Sequence, residues 1–322
     1  MLCTVGRMTQ PPHSPSPDSL NAEATAALLP WRALADEIAA LLCDDSVLVP
    51  ARIVMPMAGD ASLFAMPACD ARVAMTKLIT LTPANAGTGR ASIQGDVVVF
   101  DVATGERRLI LDGPTITARR TAAVSLLAAQ RLAPTRRGPL LVVGAGTQGL
   151  AHLQAFVAGL DVTEVFVASR SQASAETLAQ AARDLGVPAR AVADADSAAA
   201  ECPLIVTCTP ANAVVLRAAP RADAFIAAVG AFTPRMAELD AGLCRDLART
   251  GQVVVDTTDA VHEAGDLIQA GMDVAALPTL ADLERGRWRP GPGPVLFKCC
   301  GWGGWDLAAA RLALRGAPSQ PR

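Results

Sequence analysis

Between residues 140 and 256 short aliphatic runs alternate with helical stretches, and this alternation limits the possible fold more than any other feature of the chain. The runs are Leu140–Val143, Glu164–Ala168, Ala189–Val192, Leu204–Thr209, Phe225–Val229 and Val253–Asp256, with helices expected at about 148–159, 172–185 and 236–249. A strand that is apolar along its whole length is buried on both faces, and strands joined through helices run parallel. The expectation is an α/β fold, a doubly wound parallel sheet of Rossmann type.

The first run leads into Gly144-Ala145-Gly146-Thr147-Gln148-Gly149, which fits G-x-G-x-x-G at a strand-to-helix junction. Gly144 permits the tight turn, Gly146 lets backbone approach a pyrophosphate, and Gly149 allows close helix-to-sheet packing, while the helix N-terminus offers free N–H groups to the anion. A dinucleotide site is expected here, with Ala145, Thr147 and Gln148 in the same loop. The next strand ends in Ala168-Ser169-Arg170-Ser171, where an NAD site would carry an acid for the ribose hydroxyls. A carboxylate there would repel a 2′-phosphate, whereas two hydroxyls and an arginine would bind one. NADPH is the expected cofactor; if Arg170 only stacks on adenine, NADH serves too. Thr207 and Thr209, with Val229 and Gly230, end the next strands, where the nicotinamide would lie.

Outside this block the pattern differs. Arg90–Asp101 and Arg107–Leu111 predict a hairpin turning at Ala103-Thr104-Gly105, followed by an Ala-rich helix over about 115–133 that Pro134 ends. Residues 134–139 read as a linker, Trp288–Pro294 is rich in Pro and Gly, and a last helix covers Asp306–Leu314. The organisation expected is a disordered tail at 1–20, one domain from 21–133 with 303–316, and a nucleotide domain at 134–302, the end from Gly316 being loose.

Composition removes several function classes. A net charge of −3 and no basic run argue against nucleic acid or an anionic membrane. The Pro-rich start has no apolar core for a signal peptide, and no stretch reaches transmembrane length without charge or proline. Eight cysteines form no C-x-x-C pair, so they read as small buried hydrophobes of a reducing compartment; the cytoplasm is expected, and no metal site. Among 28 basic residues only Lys77 and Lys298 are lysines. An ammonium can trade a proton near neutral pH once buried and a guanidinium cannot, so a lysine kept against this bias is a candidate for lysine chemistry. Lys77 lies in the apolar run Ala74-Met75-Thr76-Lys77-Leu78-Ile79; the alternative is a lysine snorkelling from a sheet edge.

Met66-Pro67-Ala68, Thr76-Lys77-Leu78, Asp112-Gly113 with Ile116–Ala123, the glycine loop, and Phe297-Lys298 with Asp306–Ala310 stand in an order that resembles the ornithine cyclodeaminase/mu-crystallin family. The resemblance covers about residues 50–312. It implies a homodimer with a Rossmann domain and an α+β domain for substrate binding and dimerisation, and it puts the carboxylate-binding groups on Arg52, Lys77 and Arg120. Two guanidiniums make a bidentate clamp and Lys77 adds a movable donor. Periodicity alone does not choose between Arg119 and Arg120, and Arg52 reads equally as a surface strand residue. Ser92 and Gln94 match positions near the nicotinamide, or are ordinary strand polar residues. Two departures matter. Phe232 stands where cyclodeaminases carry an Asp, and Leu63-Phe64-Ala65 lacks their Glu. Without those acids the resemblance favours the ketimine reductases, with Δ1-pyrroline-2-carboxylate and Δ1-piperideine-2-carboxylate as substrates and Lys77 at the chemistry. Dehydrogenases of alanine or N-alkyl amino acids and a non-catalytic NADPH-dependent carboxylate binder are the rivals. Lys298, beside Cys299-Cys300, and the Trp302/Trp305 pair read as structural; His152 and His262 are weak candidates.

Overall fold

The structure is a computed structural model describing residues 18–85, 88–210 and 213–317. Chain order begins with β1 (Asp18–Ser19), α1 (Ala22–Ala27), α2 (Trp31–Leu42), β2 (Ile53–Pro56), β3 (Ser62–Cys69), β4 (Val73–Leu81), β5 (Ile93–Asp101), β6 (Arg107–Asp112) and α3 (Gly113–Leu132). These strands form a six-stranded sheet ordered β1-β6-β5-β4-β3-β2, antiparallel except for the β1–β6 pair. Alternation decides which side chains enter the core: Val73, Met75, Lys77 and Ile79 of β4 are buried, while Leu78 between them is 47% exposed.

The second sheet takes β7 (Arg137–Val143), α4 (Thr147–Gly159), β8 (Asp161–Ala168), α5 (Gln172–Asp184), β9 (Ala189–Val192), α6 (Ala195–Ala199), β10 (Leu204–Thr207), β11 (Phe225–Ala228), α7 (Ala241–Thr250), β12 (Gln252–Val255), α8 (Ala260–Glu263), α9 (Gly265–Gln269), α10 (Leu280–Glu284) and β13 (Val295–Lys298); α11 (Gly303–Gly316) then returns to the first sheet. Its order is β12-β13-β11-β10-β7-β8-β9, all parallel. Strand progress reverses between β7 and β10, the switch point where such sheets bind ligands. Neighbouring residues of one strand enter opposite cores: Leu140 and Val142 pack on the side of α3 and α4, Leu141 and Val143 on the side of α7. That is why these strands read as continuous apolar runs. The 20-residue α3 touches both sheets and is buried over most of its surface. Asp112 caps it by accepting from Thr115 N–H at 2.8 Å.

Five expectations need correction. Val295–Lys298 is a seventh strand inserted between β11 and β12, missed because it directly follows the Pro/Gly-rich stretch Trp288–Pro294 with no helical run leading into it. The helix expected at 236–249 begins only at Ala241, because Asp240 caps it through Gly242 and Leu243 while Glu238 and Leu239 give their N–H groups to Asp266. Residues 18 and 19 of the expected tail pair with β6 and Leu20 N–H donates to Ile110 O, residues 1–17 and 318–322 lying outside the described residues. The expected linker is strand from Arg137 onward, and the hairpin starts at Ile93 rather than Arg90. Among the described residues no helix is long and apolar enough to cross a membrane.

Candidate active site

A lysine occupies one inward position of β4, and α11 covers it. The first turn of α11 presents Asp306, whose two carboxylate oxygens lie 2.9 and 2.8 Å from Lys77 Nζ. From α3, Arg120 Nε reaches Oδ1 of the same carboxylate at 3.3 Å. Lys77 and Asp306 are 1% and 0% exposed. Burial pulls the Lys77 ammonium down to about 8; Asp306 opposes this, and Arg120 and Arg52 add to it. The site thus holds a lysine whose proton is loosened by its setting and steadied by one carboxylate shared with a permanent cation. Gly301 lies against the Arg120 guanidinium, φ being +96° and a Cβ there falling 3.1 Å from Nη1.

The ambiguity between neighbouring arginines resolves by packing. Arg120 enters the buried cluster, whereas Arg119 lies over the Trp31 ring at 3.9 Å and donates to Leu29 O. Arg52, in the loop before β2, reaches the other sheet and pairs with Glu263 at the end of α8. Burial pushes the Glu263 carboxyl up to about 7; Arg52 opposes this, and Asp256 and Asp259 add to it. Asp256 is wholly buried and accepts from Cys300 and Gly301 N–H, fixing the loop that meets Arg120. Arg52, Lys77 and Arg120 therefore gather with two carboxylates that were not singled out as site residues. Asp306 had one visible signal, a lone acid opening an apolar helix, while Glu263 had none beyond its place beside His262, which is itself exposed. Phe232 is 39% exposed in the loop after β11.

A cleft of about 850 Å³ opens at the C-terminal ends of β7, β8 and β10. Gly144 to Gln148 form its floor, Ser169, Arg170 and Ser171 one end, and Cys208 and Thr209 the other. The glycines do what the motif requires: Gly144 has φ +112° with a Cβ position only 2.7 Å from Cys208 O, Gly149 would clash with Gly144 O at 2.1 Å, and Gly146 faces open space. Gly146 is also the N-cap of α4 and makes no side-chain cap, leaving that helix start to an anion. Size, open glycine and bare N-terminus fit a dinucleotide. Arg217 and Ser174 line the cleft near Arg170, and the acids there are engaged: Asp196 accepts from Arg217 and Ala218 N–H, Asp194 from Asp196 N–H and Ser197.

Other expected contact residues lie elsewhere. Thr207 is wholly buried and Val229 nearly so, Gly230 N–H points to Glu238, Ser92 sits just before β5, and Gln94 donates to Ala91 O. Lys298 is buried, 2.9 Å from Asp266 and 3.3 Å from Ala228 O. His152 bridges Gln148 O and Ser125 Oγ, and burial lowers it to about 4, so it stays neutral. Trp302 and Trp305 pack edge to face at 5.0 Å. Among the described residues every cysteine is free and no cluster of three His, Cys, Asp or Glu could hold a metal ion.

Residues 33–312 match the family model described as ornithine cyclodeaminase/mu-crystallin. A protein of Burkholderia multivorans named Delta(1)-pyrroline-2-carboxylate reductase 1 is 38% identical over 292 residues, covering 90% of this chain and 92% of that one. The Delta(1)-pyrroline-2-carboxylate/Delta(1)-piperideine-2-carboxylate reductase of Azospirillum brasilense is 36% identical with the same coverage of each. The solved structure of Thermococcus litoralis Delta(1)-pyrroline-2-carboxylate reductase in complex with NADH and L-proline superimposes with a TM-score of 0.85, covering 92% of this chain and 96% of that one at 22% identity, a likeness of fold. With a family model and relatives of this identity both extending over most of its length, the chain belongs to the ornithine cyclodeaminase/mu-crystallin family.

Proposed function

We propose that the protein reduces cyclic α-imino acids at the C=N bond, converting Δ1-pyrroline-2-carboxylate to L-proline and Δ1-piperideine-2-carboxylate to L-pipecolate with NADPH. The observation that carries this reading is the cation cluster around Lys77: Lys77 and Arg120 share the one carboxylate of Asp306, and Arg52 is held by Glu263, whose carboxyl is pushed up to about 7, so these cations can take a substrate carboxylate. The relatives named as reductases of these imino acids support the substrate class, and Ser169-Arg170-Ser171 support the phosphorylated cofactor. When bound, the reduced dinucleotide supplies the hydride that goes to the imine carbon.

The chain's own residues do the rest. Arg52 and Arg120 take the substrate carboxylate, and Lys77, anchored on Asp306, fixes it from a third direction. A carboxylate arriving on Arg52 displaces Glu263, which then sits half-buried near Asp256 and Asp259 and holds a proton. Glu263 gives that proton to the imine nitrogen as the carbon receives hydride, and the resulting carboxylate returns to Arg52 when product leaves. Cyclodeamination of ornithine is disfavoured by Phe232 and by the absence of an acid in Leu63-Phe64-Ala65. We read the protein as a cytoplasmic homodimer, its edge strand β2 leaving Ile53, Val54 and Met55 exposed for the partner copy.

The test is NADPH oxidation with a panel of pyrroline-2-carboxylate, piperideine-2-carboxylate, pyruvate plus ammonia, pyruvate plus methylamine, and ornithine with NAD. Turnover of the two cyclic imines, with background on the others, is expected. Binding of these acids without turnover would make the protein a carrier, and ammonia release from ornithine would reverse the exclusion.

A further inference from the structure

Below the nicotinamide end of the cleft lies a buried acid that no sequence motif flags. Glu238 is wholly buried between the C-terminal ends of β10 and β11. Its carboxylate accepts four hydrogen bonds, from Thr207 Oγ1 at 2.9 Å, Thr209 N–H at 2.6 Å, Thr209 Oγ1 at 2.8 Å and Gly230 N–H at 2.6 Å. Two loops that leave adjacent strands are thereby tied to one side chain. Gly230 has no room for anything larger, since a Cβ would meet Thr209 O at 2.1 Å and Glu238 Oε1 at 2.5 Å. Glu238 is itself held: its N–H donates to Asp266 Oδ1 at 2.6 Å, and Asp266 pairs with Lys298 of β13 at 2.9 Å.

Such a network is costly to bury, and only a fully bonded one is stable. Three neighbouring strands and two flanking segments contribute to it: β10, β11 and β13 at or just past their C-terminal ends, the segment before α7, and α9. Of the residues it fixes, Thr209 lines the dinucleotide cleft directly, next to Cys208. The Thr209 hydroxyl gives its proton to Glu238, which fixes the rotamer of this side chain at the cleft wall.

We propose that Glu238 is a positioning residue for the nicotinamide half of the dinucleotide, acting through Thr209 and the Gly230 loop, with the Asp266–Lys298 pair as its fixed support. This rests on the dinucleotide reading of the cleft. Lys298 accordingly acts in the fold behind the cofactor rather than upon it. The adenosine half, held at the far end by Ser169 to Ser171, is independent of Glu238.

The experiment separates the halves by binding rather than turnover. NADPH is titrated by its fluorescence, and 2′,5′-ADP, which carries only the adenosine end, by competition against it. Glu238→Gln keeps the volume but, whichever way its amide turns, sets an NH2 donor against either the Thr209 or the Gly230 N–H and removes the charge from the other bonds. The expected result is an NADPH Kd raised on the order of tenfold, the size of one or two lost charge-assisted hydrogen bonds, with 2′,5′-ADP affinity within about twofold. Thr207→Val removes a single bond to Glu238 and keeps the shape, so it covers the case in which the first variant does not fold; its NADPH Kd should rise roughly threefold. Unchanged NADPH affinity in folded Glu238→Gln, or equal weakening of both ligands, overturns the proposal. A parent protein that binds neither ligand overturns the dinucleotide reading as well, and so is distinguished from failure of the positioning role alone.

Discussion

Replacing Asp306 with Asn removes the one carboxylate that Lys77 and Arg120 share, and the structure sets the size of the loss. The parent already carries a strained lysine: a fall from 10.5 to about 8 corresponds to about 3 kcal/mol of destabilisation at neutral pH. Without Asp306 the ammonium falls further, but once neutral at pH 7 it can cost no more than about 5 kcal/mol in total. Lys77 therefore adds at most about 2 kcal/mol, because it can escape by losing its proton. Arg120 cannot, and its lost charge-assisted bond adds about 1–3 kcal/mol. The sum, about 1–5 kcal/mol, reaches the range for breaking a buried ion pair. Asp306→Asn should lose that much in urea unfolding and still fold. Activity should suffer more, because a neutral, unanchored lysine no longer holds the substrate carboxylate; kcat/KM should fall roughly a hundredfold at pH 7.5. The loss should shrink as pH is lowered to 6, where Lys77 regains its proton. A variant within about 1 kcal/mol of the parent and within twofold of its activity would show that Asp306 neither charges nor positions Lys77.

Lys77→Arg should retain the fold and NADPH binding but lose about a hundredfold in kcat/KM for the cyclic imine, since a planar fork overfills a buried position built for an ammonium; steady-state kinetics within twofold of the parent would sink this. Arg170→Ala should raise KM for NADPH on the order of tenfold while leaving NADH nearly unchanged, and equal effects on both cofactors would remove the 2′-phosphate contact. The parent's kcat/KM should fall as pH rises through about 7, where Glu263 loses the proton it donates, and again through about 8, where Lys77 loses its charge. Glu263→Gln should abolish the first fall at a lower plateau and keep the second; a profile identical to the parent's would free Glu263 of any proton-transfer role.

Local signals in the sequence were enough for the parallel sheet. Continuous apolar runs mark strands buried on both faces, and a glycine loop at a strand-to-helix junction needs no distant partner to be recognised; Gly144 to Gln148 line the cleft, with Gly149 packed beneath against Gly144 O. Lys77 stood out because arginine outnumbers lysine so heavily, a compositional fact that no folding is needed to see. Where information is short-range but weak, reading failed: β13 directly follows a Pro/Gly-rich stretch that masks it as loop, and the start of α7 is set by the Asp240 cap.

The site itself is tertiary. Asp306 lies 229 residues from Lys77 and Glu263 lies 211 from Arg52, and each pair is made only because α11 packs back on β4 and α3 and the end of α8 meets the loop before β2. The choice of Arg120 over Arg119 follows from which one α3 turns toward that buried carboxylate, a rotation that a helix buried around most of its surface does not encode by period. Residue types fixed which charges the chain could bring to a site and where the dinucleotide would lie. Burial decided how those charges behave, lowering a lysine and raising a glutamate by withdrawing water that sequence neighbours alone could not exclude.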